Sequence, residues 1–136
     1  MYRLDDLEVY NLAQNFSDKV WLLVIDWDSF AKFGLGTQLT DAADSISANI
    51  SEGYGRYFIK DNIRFCYYSR GSILETKNWL RKAKNRSLVA ENTYNLLIAE
   101  LELIHVKLNA YIKLLNQNLL KHTENQRIIN YRLINY

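Results

Sequence analysis

Residues 38–56 read QLTDAADSISANISEGYGR, and their spacing decides the fold. Leu39, Ala43, Ile46 and Ile50 fall at i, i+4, i+7 and i+11, which is one face of a helix. Ser45, Asn49, Glu52 and Arg56 repeat that spacing to one side of it. Gly53 and Gly55 stand where such a helix must close. The stretch therefore predicts a helix over about 37–54 with an apolar face bordered by a polar stripe. Both stripes need partners.

The flanking sequence supplies them. Before the stretch, Val9, Ala13, Phe16, Val20, Leu23 and Trp27 step by threes and fours, predicting a first helix over about 5–26. From Val20 to Trp27 it is apolar nearly all round. One core-facing stripe cannot absorb all of that. Trp21, Val24 and Ile25 are accordingly expected at an oligomer interface. Residues 28–36 read as a connection turned by Gly34 and Gly36, with Phe30, Phe33 and Leu35 expected to fold back over the bundle end. A third helix is predicted over about 61–85, burying Phe65, Ser69, Ser72, Thr76, Trp79, Leu80 and Ala83. Gly71 in its middle suggests a close backbone approach, because glycine costs a helix interior about 1 kcal/mol relative to alanine. A fourth helix, about 91–119, shows Tyr94, Leu101, Leu108 and Leu115 every seven residues, with Leu97, Ile104 and Tyr111 in the second core position. Four helices with short connections predict an all-α, antiparallel up-down-up-down bundle over 1–119. Residues 120–136 form a C-terminal tail that either extends the fourth helix or lies on a neighbour.

The chain has 136 residues, 49% of them hydrophobic, and no proline. That suits one domain with one core and long helices. The formal net charge of +2 is unevenly spread: residues 53–86 carry nine Lys/Arg against two acids, a local +7, leaving −5 elsewhere. Such polarity offers one attractive face to anions, or meets an acidic surface of another subunit. A single cysteine, Cys66, excludes an internal disulfide or a cysteine metal cluster. No leader segment or membrane span is read from the sequence, so a cytoplasmic protein that makes no membrane contact is expected.

No residue set demands catalysis, and none is assigned. Ser45, Asn49 and Glu52, with Ser72 and Glu75 of the third helix, could form one hydrogen-bonded layer between helices or between subunits. Glu102-Leu-Ile-His105 matches half of a di-iron bundle motif, but it occurs once, so neither metal nor cofactor is expected. Gly53-Tyr-Gly-Arg closes a helix instead of opening one, which excludes a phosphate loop. Arg70, Lys77, Arg81 and Lys84 share one side of the third helix as a basic ridge. With Arg56 and Arg64 they are the candidate nucleic-acid-binding set, and Tyr57, Tyr67 and Tyr68 are candidate stacking residues beside it.

Phe33-Gly-Leu, Gln38-Leu, Ala42-Ala43, Ser45-Ile46, Asn49-Ile50, Glu52-Gly53, Gly55-Arg56 and Gly71-Ser72 with Glu75 resemble the pattern of the 23S rRNA intervening-sequence proteins, a four-helix bundle protein family. The resemblance covers about residues 5–118. It implies a left-handed bundle that assembles as a ring, typically a homopentamer. A related branch is the accessory variability determinant protein of diversity-generating retroelements, a basic pentamer that binds a reverse transcriptase and nucleic acid. The resemblance thus implies self-association, with RNA or DNA or a partner protein such as a reverse transcriptase as further partners. Three departures stand out. The loop after the first helix lacks the family's proline, Thr40 and Asp41 replace basic residues, and Gly36 displaces a threonine. The second lowers the charge of the second helix and weakens any nucleic-acid reading that rests on it.

Overall fold

Four long helices carry the fold of the computed structural model, which describes residues 3–135. They are α1 (Glu8–Val24), α2 (Thr37–Tyr54), α3 (Ile59–Asn85) and α4 (Glu91–Ile134). α2 packs on α1 and α3, and α4 packs on α3 and α1, so the helices contact in cyclic order. Cross-helix pairs fix the directions. Gln14 faces Ser47 while Val24 faces Gly36, so α1 and α2 are antiparallel. Asn62 meets Gly53 and Ser69 meets Ile46, so α2 and α3 are antiparallel. Arg70 with Asn109, Lys77 with Glu102 and Lys84 with Glu91 give the same sense for α3 and α4. Glu8 with Lys107 and Lys19 with Glu100 do so for α1 and α4. This is the up-down-up-down bundle that four apolar stripes joined by short links dictate.

The core lies where the stripes meet. Leu39, Ala43, Ile46 and Ile50 are fully buried against Phe16, Val20, Ile73, Leu80, Leu101, Ile104 and Leu108. The inward face of α3 is centred one step away from the expected one. It runs Ile63, Cys66, Ser69, Ile73, Thr76, Leu80 and Ala83, while Phe65, Ser72 and Trp79 sit half-buried at its edge. The two buried hydroxyls of α3 are satisfied. Ser69 donates to the Ile46 carbonyl at 2.7 Å and Thr76 donates to the Ser72 carbonyl at 2.7 Å.

Residues 28–36 are helical, not an open connection. Asp28 caps a single turn, Ser29–Ala31, by accepting from the Ala31 N–H at 3.0 Å. A π-helical segment, Lys32–Gly36, then runs straight into α2. Gly34 and Gly36 keep negative φ, so they do not turn the chain. Gly36 is needed for space instead: a Cβ there would lie 2.7 Å from Val24 Cγ1. Leu35 is buried as expected, but Phe30 and Phe33 are 94% and 76% exposed and do not fold back.

Gly53 marks a close approach as well, since its Cβ would sit 2.8 Å from Asn62 Oδ1 and 2.9 Å from Phe65 Cβ. Gly71 does not: its position is open, with nothing within 4 Å. α3 ends in a reversal at Ser87, whose φ of 60° lies in the left-handed region. Ser87 N–H donates to Lys84 O and Leu88 N–H to Ala83 O, closing the helix in the pattern usually left to glycine. α4 continues 15 residues beyond the expected end at Leu119. Its last buried residue is Leu115, and from Leu120 onward every described residue is exposed. Of the two alternatives for 120–136, the structure shows a helical extension, about 22 Å over Leu120–Ile134; Tyr136 lies outside the described residues.

Candidate interaction surfaces

The basic ridge exists, and most of it is zipped onto α4. Arg70, Lys77 and Lys84 recur every seven residues, the spacing that keeps charges flanking a helix–helix seam. Arg70 donates to Asn109 Oδ1 at 3.1 Å and lies over the Tyr67 ring. Lys77 donates to Glu102, whose carboxyl falls below the usual range chiefly because of that hydrogen bond. Lys84 lies 3.9 Å from Glu91 and over the Tyr94 ring. Arg56 pairs with Glu52 at 2.6 Å and covers Phe65, and Arg64 pairs with Asp61 at 3.4 Å. Of the six candidate cations, Arg81 alone has neither an ion pair nor a side-chain hydrogen bond or ring contact among the described residues, Arg70 being held by Asn109 and Tyr67 without an acid; the side chains of Lys82 and Arg86 nearby are free in the same sense as Arg81.

The polar stripe does not join into one layer inside the subunit. Ser45 donates to Asp41 O at 2.7 Å, Asn49 to Ser45 O at 2.8 Å and Ser72 to Tyr68 O at 3.2 Å, each within its own helix. Glu75 accepts from Trp79 Nε1 at 3.2 Å. Small polar side chains on a helix border return to the backbone one turn back when nothing stands opposite them. The polar links that do cross between helices are others: Ser47 to Gln14 at 3.0 Å, Ser69 to Ile46 and Asn62 to Tyr111 at 3.1 Å. Burial is the main reason the Tyr111 phenol titrates above its usual range, an effect partly offset by the Asn62 bond. Cys66 is buried beside Asn62, and desolvation pushes its thiol up to about 12, which rules out a reactive thiolate.

The expected interface residues divide. Val24 is a correction: it is buried in the subunit's own core, packed on Gly36. Trp21 and Ile25 are 57% and 47% exposed and, with Phe33, line a shallow apolar cleft of about 170 Å³. The π segment builds this cleft by bringing Lys32, Phe33, Gly36 and Thr37 beside the end of α1. Val24 closes the cleft from the core side. On the same two helices an acidic group accumulates. Asp44 is held above the usual carboxylate range, first by partial burial and then by Asp41 and Asp18.

Among the described residues no three His, Cys, Asp or Glu side chains converge on a metal position, and Glu102 of the half-motif is engaged by Lys77. No helix is long and apolar enough to cross a membrane.

An all-α four-helix bundle defines the class. The chain belongs to the 23S rRNA-intervening sequence protein family, whose model matches residues 5–110. It is also similar to a crystal structure of a protein of unknown function from the S23 ribosomal protein family of Bacteroides thetaiotaomicron. The TM-score is 0.71 at 21% identity, covering 77% of this chain and 95% of that one, a likeness of fold. No curated protein matches the sequence.

Proposed function

We propose that this chain is a non-enzymatic, cytoplasmic scaffold subunit that assembles with copies of itself into a closed ring. Five subunits is the count that the family resemblance implies. The observation that carries the reading is the exposure of Trp21, Ile25 and Phe33 around one apolar cleft. Large aromatic side chains left wet around a cleft are the usual core of a protein interface. Charge favours a second copy as occupant. Among the described residues the Asp18, Asp41 and Asp44 group lacks a cation, while Arg81 and Lys82 of α3 and Arg86 at its C-cap lack an acid. Acidic α1–α2 face against basic α3 end is a head-to-tail contact, the kind that generates a ring when its rotation closes. The border residues Ser45, Asn49, Glu52, Ser72 and Glu75 would then find partners across the same contact.

Light scattering after size exclusion tests this. A pentamer of the 16.0 kDa chain elutes at about 80 kDa. Trp21→Glu combined with Phe33→Glu, both at exposed positions, is expected to give a folded monomer. A wild-type protein that stays monomeric at high micromolar concentration overturns the reading.

Nucleic acid binding through α3 is a second reading, supported by the same free cations. In that reading Arg81, Lys82 and Arg86 face phosphates in place of a neighbouring subunit's acids, and binding is sequence-independent and steeply salt-dependent. Reversing these three charges is expected to abolish retardation of RNA or DNA. Unchanged retardation removes α3 as the binding face.

A further inference from the structure

At the opposite corner from the apolar cleft, the α2–α3 turn and the extension of α4 enclose a second space. It is an open cleft of about 720 Å³, walled by Tyr57, Phe58 and Lys60 on one side and by Leu119, His122 and Thr123 on the other. That volume falls within the roughly 300–1,000 Å³ typical of small-ligand clefts. Tyr57 is 91% exposed and Phe58 65% exposed, and the two rings stand edge to face with centroids 5.0 Å apart. Edge-to-face contact fixes both planes while leaving ring face open to a third π-system.

Lys60 brings a cation to the lining and His122 an imidazole. Among the described residues Lys60 and Arg127 have no acid partner, and Arg127 follows Thr123 by one turn on the same face of α4. The acid in the cleft, Asp61, is already engaged by Arg64 at 3.4 Å. An apolar peptide calls for a dry groove, whereas two presented aromatic rings rimmed by free cations match an unpaired base and its phosphates. The charge pattern therefore selects among occupants.

We propose that this corner cleft is a stacking site for an unpaired base of single-stranded RNA or DNA, with Lys60, His122 and Arg127 meeting the flanking phosphates. The site is complete within one subunit, so it does not depend on ring formation or on the α3 cations. A duplex keeps its bases stacked and cannot insert one, so the site discriminates strand state.

Fluorescence anisotropy with a labelled oligoadenylate, as RNA and as DNA, and with the matching blunt duplex tests it. The single strand, of either sugar, is expected to bind at least about tenfold more tightly than the duplex. Tyr57→Ala is expected to weaken single-strand binding by roughly tenfold, and Tyr57→Phe to preserve it. Lys60→Ala is expected to lower the salt dependence. Tyr57 is exposed, so its variants keep the fold, and a circular dichroism melt verifies this. Absence of single-strand binding, equal affinity for duplex and single strand, or an unchanged Tyr57→Ala variant overturns the proposal. Solution mass, measured separately, reports on the ring and not on this site.

Discussion

Replacing Gly53 by alanine puts a methyl group into the approach between α2 and α3. The added carbon would lie 2.8 Å from Asn62 Oδ1, 2.9 Å from Phe65 Cβ and 3.0 Å from the Asn62 carbonyl. Two of those atoms are backbone or Cβ, so a rotamer change cannot relieve the clash and the helices must part. Overpacking of this kind costs about 1–3 kcal/mol. Moving Asn62 also strains its 3.1 Å hydrogen bond to Tyr111, worth about 1 kcal/mol. Alanine returns about 1 kcal/mol through its helix propensity. The balance is a loss of about 2 kcal/mol, or a fall in melting temperature of about 8 °C for a domain of this length. Gly71→Ala is the matched comparison. Its position is open, so only the propensity gain remains, about 1 kcal/mol and about 4 °C upward. Thermal unfolding followed by far-UV circular dichroism, at two protein concentrations, measures both. A Gly53→Ala protein that melts at or above wild type refutes the packing argument. A Gly71→Ala protein that melts lower would mean that this open face is covered in an assembly.

Three further outcomes are expected. Asp44 has a folded pKa above its unfolded value of 3.8, so folding takes up protons between the two and the ionised carboxylate destabilises the fold at all higher pH. Asp44→Asn should therefore raise urea-unfolding stability at neutral pH, by less than about 1 kcal/mol for so exposed a group, with the gain fading below 3.8. Ser87 occupies the left-handed conformation with a side chain, so Ser87→Gly should stabilise by about 0.5–1 kcal/mol in the same assay. Truncation after Leu119 removes no buried residue among the described ones. It should leave the melting temperature of the bundle unchanged while lowering helical ellipticity by the share of the missing turns.

Much of the fold was legible because helical periodicity reports burial directly. Leu39, Ala43, Ile46 and Ile50 name one buried stripe, and Leu101, Leu108 and Leu115 name another. Where periodicity is silent, the reading failed for identifiable reasons. Gly34 and Gly36 look like breakers, yet Gly36 is there to admit Val24. The end of α4 was placed at Leu119 because the apolar pattern stops there, although nothing beyond it breaks a helix. An isolated helix of that length is marginal in water, so periodicity gave no reason to extend it. Spacing located the basic ridge but could not show its pairing. Glu102 and Asn109, themselves seven apart, were the signal available for two of the three partners. Spacing names Tyr57 a candidate stacking residue, but only coordinates separate a wet tyrosine from one at the core border.

The π segment has an implication for how such a subunit can change. A π stretch holds one residue more than the α-helix it interrupts. Ser29–Ala31, Lys32–Gly36 and Thr37–Tyr54 run end to end, so that surplus is a single-codon insertion stored in a working helix. Deleting one residue between 32 and 36 would leave Leu39 and everything after it seated, while swivelling Phe30 about 100° around the axis. One codon would thus redirect an outward-facing aromatic at the mouth of the bundle, moving only the shallow core contact of Ala31 and Trp27 with it.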